Sequence, residues 1–136
     1  MIAEERMGTT VGWLRASFIT GAVVDAVVGV LILIPSRMGE AEFRYPMGLA
    51  ASLMFGWTVL LLWGYQKPLE RKGLLLITIF PVIAGLMASA AYQLATGAFT
   101  IGRVLPTMLL GVALIALLGF SYFKARTLTK PHRACR

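Results

Sequence analysis

Four apolar runs, separated by short charged connections, limit what this chain can fold into. Cutting the sequence at its charged clusters leaves Val11–Ile34, Met47–Tyr65, Gly73–Ala95 and Leu105–Phe123. At about 1.5 Å of rise per helical residue, each run is long enough to cross a hydrocarbon core of roughly 30 Å. Only 14% of the 136 residues are charged, against about 25% in an ordinary soluble domain, so water is a poor solvent for such a surface. Little chain remains outside the runs, which leaves room for loops and tails and none for an extramembrane domain. The expected fold is a single all-α integral membrane domain, an up-down-up-down bundle of four transmembrane helices with spans at 11–34, 47–65, 73–95 and 105–123.

Charge placement sets the expected orientation. With the amino terminus inside, Arg6, Arg15, Lys67, Arg71, Lys72, Lys124, Arg126, Lys130, Arg133 and Arg136 lie on the inner side, and only Arg37, Arg44 and Arg103 lie outside. Cytoplasmic flanks carry the excess of Lys and Arg, so both termini are expected in the cytoplasm, with the prokaryotic inner membrane as the location. The net charge of +7 is spread over segments flanking apolar runs and forms no basic face on a soluble surface, which argues against nucleic acid as a partner. The tail KARTLTKPHRACR, residues 124–136, suits anionic lipid at the cytoplasmic face, each basic residue contributing up to about 1 kcal/mol near the surface. Its lone Cys135 excludes an internal disulfide. The first run does not read as a cleavable signal: it is too long, Asp25 interrupts it, and Glu4 and Glu5 precede it.

Local signals mark the ends of the spans. Residues 1–10 are polar and expected to be frayed or interfacial, with Trp13 and Arg15 at the inner boundary. Pro35 ends the first helix, because the residue before a proline is pushed out of the helical region. The connection SRMGEAEFRYP is expected either as a solvated loop or as a short helix lying on the outer surface. Trp63 and Tyr65 close the second span, and QKPLERK turns the chain into the third. Pro81 sits mid-span and is expected to kink the third helix, leaving the Ile77 carbonyl to Thr78, a water or a neighbouring helix. ATGAFTIGR makes the next turn, and Pro106 is expected in the first turn of the fourth helix, where a missing N–H costs nothing.

Asp25 is the only carboxylate within the four runs. A charged Asp at mid-helix costs about 2.5–3.5 kcal/mol on insertion scales, so it calls for a partner or a task. It lies on a row of small residues, Ser17, Gly21, Asp25 and Gly29. Similar rows run through Gly48, Ser52 and Gly56, through Pro81, Gly85 and Ser89, and through Thr107 and Gly111. Membrane helices associate where small residues permit close approach, so these rows are expected to face the bundle interior. Counting from the boundaries puts Asp25, Trp57, Pro81 and Gly85 near the midplane. An indole N–H buried at that depth needs an acceptor, and Asp25 is the expected one for Trp57.

The candidate ligand-binding set is therefore Asp25, Trp57, Ser52, Gly85 and Ser89, with Pro81 as the helix kink. Asp25 reads either as a proton or cation site or as a hydrogen-bonded acid that fixes helix register. Catalytic, metal and cofactor residues are absent from the reading: no HExxH, GxSxG, P-loop or carboxylate cluster is present, and His132 in the tail is the only histidine. The stretch ITGAVVDAVVGVLIL, an acid among small residues in the first of four spans, resembles the small multidrug-resistance transporters in architecture. Those work as dimers around a first-helix glutamate; the resemblance implies an acid-centred membrane binding site. The chain departs from them in lacking their motif and in its strong charge bias. It also lacks the paired acids of the sterol-isomerase-like families and the Arg/Asn/Glu pattern of the glutathione-dependent four-span enzymes. Two expectations follow: a small transporter or binding protein for a cation or hydrophobic amphiphile, or a non-catalytic assembly subunit. The second associates with a membrane partner, or with its own copy as a homo-oligomer, through small-residue faces.

Overall fold

Apolar sequence in a medium without water must satisfy its backbone internally, and the helix does this within one segment. The computed structural model describes residues 2–34 and 44–128, with side chains from 7–34 and 44–127. Four helices account for nearly all of them: α1 (Ile2–Ile32), α2 (Arg44–Gln66), α3 (Gly73–Ala95) and α4 (Ile101–Leu128). No strand occurs among the described residues. The stretches Met7–Ile32, Arg44–Gln66, Gly73–Ala95 and Ile101–Thr127 are each long and apolar enough to cross a membrane.

Three boundaries differ from expectation. α1 begins at Ile2, so the polar segment expected to be frayed or interfacial is helical, which excludes only the fraying. Nothing between residues 2 and 10 interrupts it: there is no proline, and the residues Ala3, Glu4, Glu5, Arg6 and Met7 are strong helix formers. α2 begins at Arg44, which puts Pro46 in its first turn, where a missing N–H is harmless. α4 begins at Ile101 rather than near Leu105, so Pro106 falls inside the helix. In a four-residue register it withholds a donor from the Gly102 carbonyl. Pro35, most of the connection SRMGEAEFRYP, and the tail beyond Leu128 with His132 and Cys135 lie outside the described residues.

Pro81 has an outcome different from a bare carbonyl. The third helix switches to a π-helical turn over Thr78–Ile83, with the amide of Ala84 donating to the Ile79 carbonyl. In that five-residue register the Ile77 carbonyl meets the amide of Val82 instead of the missing one of Pro81. Thr78 does not serve Ile77 either; its hydroxyl donates to the Leu74 carbonyl at 2.8 Å. α3 then ends at Ala95 with Thr96 as its C-cap, and Gly97, with a φ of +72°, turns the chain out of the helix.

The chain divides into two compact units, Arg15–Pro68 on one hand and Met1–Leu14 with Leu69–Arg136 on the other. The first is a hairpin of α1 and α2. In the second, α4 packs along all three segments of α3, and the opening turns of α1 join its far end, where Ser121 donates to the Trp13 carbonyl at 3.4 Å. There the Trp13 and Phe120 rings meet edge to face at 5.4 Å, and the Lys124 ammonium lies 5.7 Å from the Trp13 ring centre. In the hairpin the Arg15 guanidinium lies 5.5 Å from the Tyr65 ring centre. Aromatic residues paired with long cations are what helix ends at a membrane interface use.

Candidate functional site

The hairpin is zipped by small residues set against large ones. A Cβ on Gly64 would run into the Phe18 ring, one on Gly21 would come within 3.2 Å of Leu61 Cδ1, and one on Gly29 within 3.2 Å of Phe55 Cε1. Position numbers fall on α1 as they rise on α2, so the helices are antiparallel. Interpolating between Gly21–Leu61 and Gly29–Phe55 places Asp25 level with Trp57 and Thr58. Gly21 and Gly29 lie one turn to either side of Asp25, and all three occupy the face of α1 that meets α2.

Asp25 is half-buried, and its Oδ2 is fully buried with no hydrogen-bond partner. Thr58 is the polar side chain on the facing surface of α2, on the row Ala51, Met54, Thr58, Leu61. Its hydroxyl donates back to the Met54 carbonyl at 2.9 Å, which leaves it no proton for Asp25. Of the expected bond between Trp57 and the Asp25 carboxyl, the structure excludes only the arrangement through Oδ2. Trp57 is half-buried and sits about 100° round the helix from Thr58, on the flank of α2.

The other expected site residues separate. Ser52 is exposed on α2, and its hydroxyl donates to the Leu49 carbonyl at 3.2 Å. Gly85, Ser89 and Pro81 are exposed on α3, in the other unit. The small-residue row on α1 turns inward, whereas the rows on α2 and α3 turn outward: Gly48, Gly56 and Gly85 have open space where a Cβ would stand. The reason lies in the fit. Glycine on α1 makes a hollow, and a hollow is filled by Leu61 or Phe55, not by another hollow. In the second unit the same rule seats Met87 over Gly111.

Thr58 is the residue that sequence reasoning missed. The signal was available in the spacing of Ala51, Met54, Thr58 and Leu61, which is the three-and-four step of a packed face. A shallow apolar depression of about 260 Å³ also lies on α1, lined by Ala26, Val27, Val30 and Leu31. Helical periodicity puts its floor on the side of α1 away from Asp25. No known protein family, characterised protein or solved structure matches the chain.

Proposed function

We propose that this chain is a small four-span membrane protein that binds and moves a cation, with Asp25 as the binding group and Thr58 as its neighbour on α2. One observation carries this reading: a carboxyl oxygen is buried in a membrane-crossing hairpin with no donor from the protein. Buried polar groups without partners are rare because each costs about 1–3 kcal/mol, so a retained one points to a partner from outside the fold. An acid at this depth alternates between carrying a proton and holding a charge in transit. Both termini are taken as cytoplasmic on the ten-to-three distribution of Lys and Arg, with anionic lipid against the inner flanks. The protein acts without catalysis or cofactor.

The test is proton release from detergent-purified protein on adding sodium, potassium or dodecyltrimethylammonium across pH 5–9. Release that Asp25→Asn abolishes is the expected result; identical traces from wild type and variant sink the reading.

A second reading has its own support. The row Gly48, Ser52 and Gly56, half-buried at Gly48 and exposed at the other two, with open space at both glycines, is a surface on which another membrane helix can lie closely. On that reading the chain is a non-catalytic assembly subunit or forms a homo-oligomer. Gly56→Ile then lowers self-association or partner recovery, measured by sedimentation in detergent, without changing the melting temperature.

A further inference from the structure

The buried side of α3 does not keep one helical step. Ahead of the proline it runs through Leu75 and Thr78; beyond it, through Ile83, with Met87 and Ala90 half-buried on the same side. Steps of three and four residues hold one face of an α-helix, whereas the step from Thr78 to Ile83 is five. Five is the repeat of the π turn over Thr78–Ile83, one residue more than an α turn takes. Packing and hydrogen bonding therefore agree on where the additional residue is taken up. The row beyond the turn is the one that meets α4: a Cβ on Gly111 would lie 2.8 Å from Met87 Sδ and 3.6 Å from Ile83 Cγ2.

A plain α-helix through the same residues selects a different row. Continued from Leu75 and Thr78 in α steps, the buried side reaches Val82, Leu86 and Ser89, each one residue before its counterpart in the π register. The two rows match in bulk: Val82 stands against Ile83, Leu86 against Met87 and Ser89 against Ala90. Exchanges that conserve volume in this way are the ones a packed contact tolerates best. As the chain is folded, Leu86 is 52% exposed and Ser89 is exposed as well. A rotation of Ala84–Ala95 by about 100° brings both inward and turns Met87 out.

Pro81 decides between the rows. In the α register its ring crowds the Ile77 carbonyl and leaves that carbonyl without a donor. In the π register the amide of Val82 takes the place of the missing one. Pro81 itself is exposed, so it acts through the backbone and not through packing. Thr78 does not relieve the α register, since its hydroxyl is given to Leu74.

We infer that α3 is a two-position helix. Pro81 locks Ala84–Ala95 in the π register, with Ile83 and Met87 on α4; the other position is the α register, with Val82, Leu86 and Ser89 in the buried row. The lock is one backbone hydrogen bond deep, which makes the α register roughly tenfold to a hundredfold the less populated. The exchange carries the Ser89 hydroxyl from the exposed side of α3 to the buried one. The device lies in the unit that does not contain Asp25 and stands whether or not Asp25 binds a cation.

Disulfide trapping in the full-length protein with Cys135→Ser tests it. One pair is Met87→Cys with Gly111→Cys. The other is Leu86→Cys with Gly111→Cys, to which Met87→Ala is added so that neither pair crowds the new Cβ at 111. With Pro81 in place the first pair is expected to close at least about tenfold faster than the second. In Pro81→Ala the α register regains its donor, and a π turn without such a cause is rare. That variant is expected to speed the second pair about tenfold and to slow the first. An unchanged ratio overturns the lock, and so does loss of both pairs. Deletion of Pro81 gives a reading independent of the alanine variant, because it removes the proline and the additional residue together. An unbroken α-helix is then expected to return Met87 to Gly111, so the first pair closes as in the undeleted protein and the second stays slow. Closure through the second pair after the deletion, or through neither, overturns the two registers.

Discussion

The two units of this chain treat buried polar groups differently. In the unit built from α3, α4 and the first turns of α1, Thr78 donates to the Leu74 carbonyl and Ser121 to the Trp13 carbonyl. Both side chains are almost fully buried and both are satisfied from within. Even the break forced by Pro81 is repaired there, by a change of helical register. In the hairpin, Thr58 is satisfied by its own helix, and Asp25 Oδ2 is left with nothing. A fold that supplies partners to the buried hydroxyls of Thr78 and Ser121 has supplied none to Oδ2 of Asp25. That contrast is what supports the proposal of Asp25 as a binding group.

The largest effect that can break the contrast is in the hairpin zipper. Gly64→Ala drives a Cβ into the ring of Phe18, which is fully buried. Overpacking of this kind costs about 1–3 kcal/mol, and the variant is expected near the top of that range in unfolding assays in mixed micelles. Gly85→Ala, with open space at its Cβ, is expected within about 0.5 kcal/mol of wild type in the same assay. If the two variants melt alike, the hairpin is not held as described.

Asp25→Leu should act in the opposite direction. Replacing an unpartnered buried carboxyl with an apolar side chain removes a desolvation cost, so the hairpin is expected to gain about 1–2 kcal/mol. Cation-linked proton release should vanish at the same time. Stability gained with function lost is the signature of an acid kept for its task. A destabilised Asp25→Leu would instead mean that the carboxyl fixes the register of α1 against α2.

How much of this was legible beforehand follows from which forces sequence patterns report. Span number and rough limits came from apolar run length, because lipid leaves the backbone no alternative to a helix. The depth of Asp25 could also be counted. Which way each helix turned could not, because all four are apolar on every side and periodicity carries little information when lipid and protein interior are equally apolar. That is why Ser52, Gly56 and Gly85 were expected inside and lie outside. Small-residue rows say where helices can approach, and only the large residues of the facing helix say where they do. Thr58 was missed for the same reason: its role depends on register, and register is set by Phe18 meeting Gly64 and Leu61 meeting Gly21. The π turn was half legible, since proline announces the disruption but not the repair.

The smaller effects test the satisfied unit. Thr78→Val removes a hydroxyl that donates at 2.8 Å to Leu74 beside the π turn, and the expected loss is about 1 kcal/mol. Hydrogen exchange should locate that loss in the amides of 78–84 and leave the hairpin untouched.

Lys124→Met gives the smallest expected change and asks whether the boundary cluster is structural. The ammonium lies 5.7 Å from the Trp13 ring centre and 5.8 Å from that of Phe120. An exposed cation–π contact contributes about 0.5–1 kcal/mol, while the methionine stem preserves most of the packing against both rings. In neutral detergent the variant is therefore expected to melt within about 1 kcal/mol of wild type. In bilayers containing anionic lipid the deficit should widen, because the same ammonium then meets lipid phosphate at the surface. An equal deficit in neutral and anionic bilayers would confine Lys124 to its contact with Trp13 and Phe120. It would also remove one of the ten cations on which the cytoplasmic placement of the termini depends. The contrast between units would survive that result, since Ser121 and Trp13 join α4 to the first turns of α1 by a hydrogen bond that involves no charge.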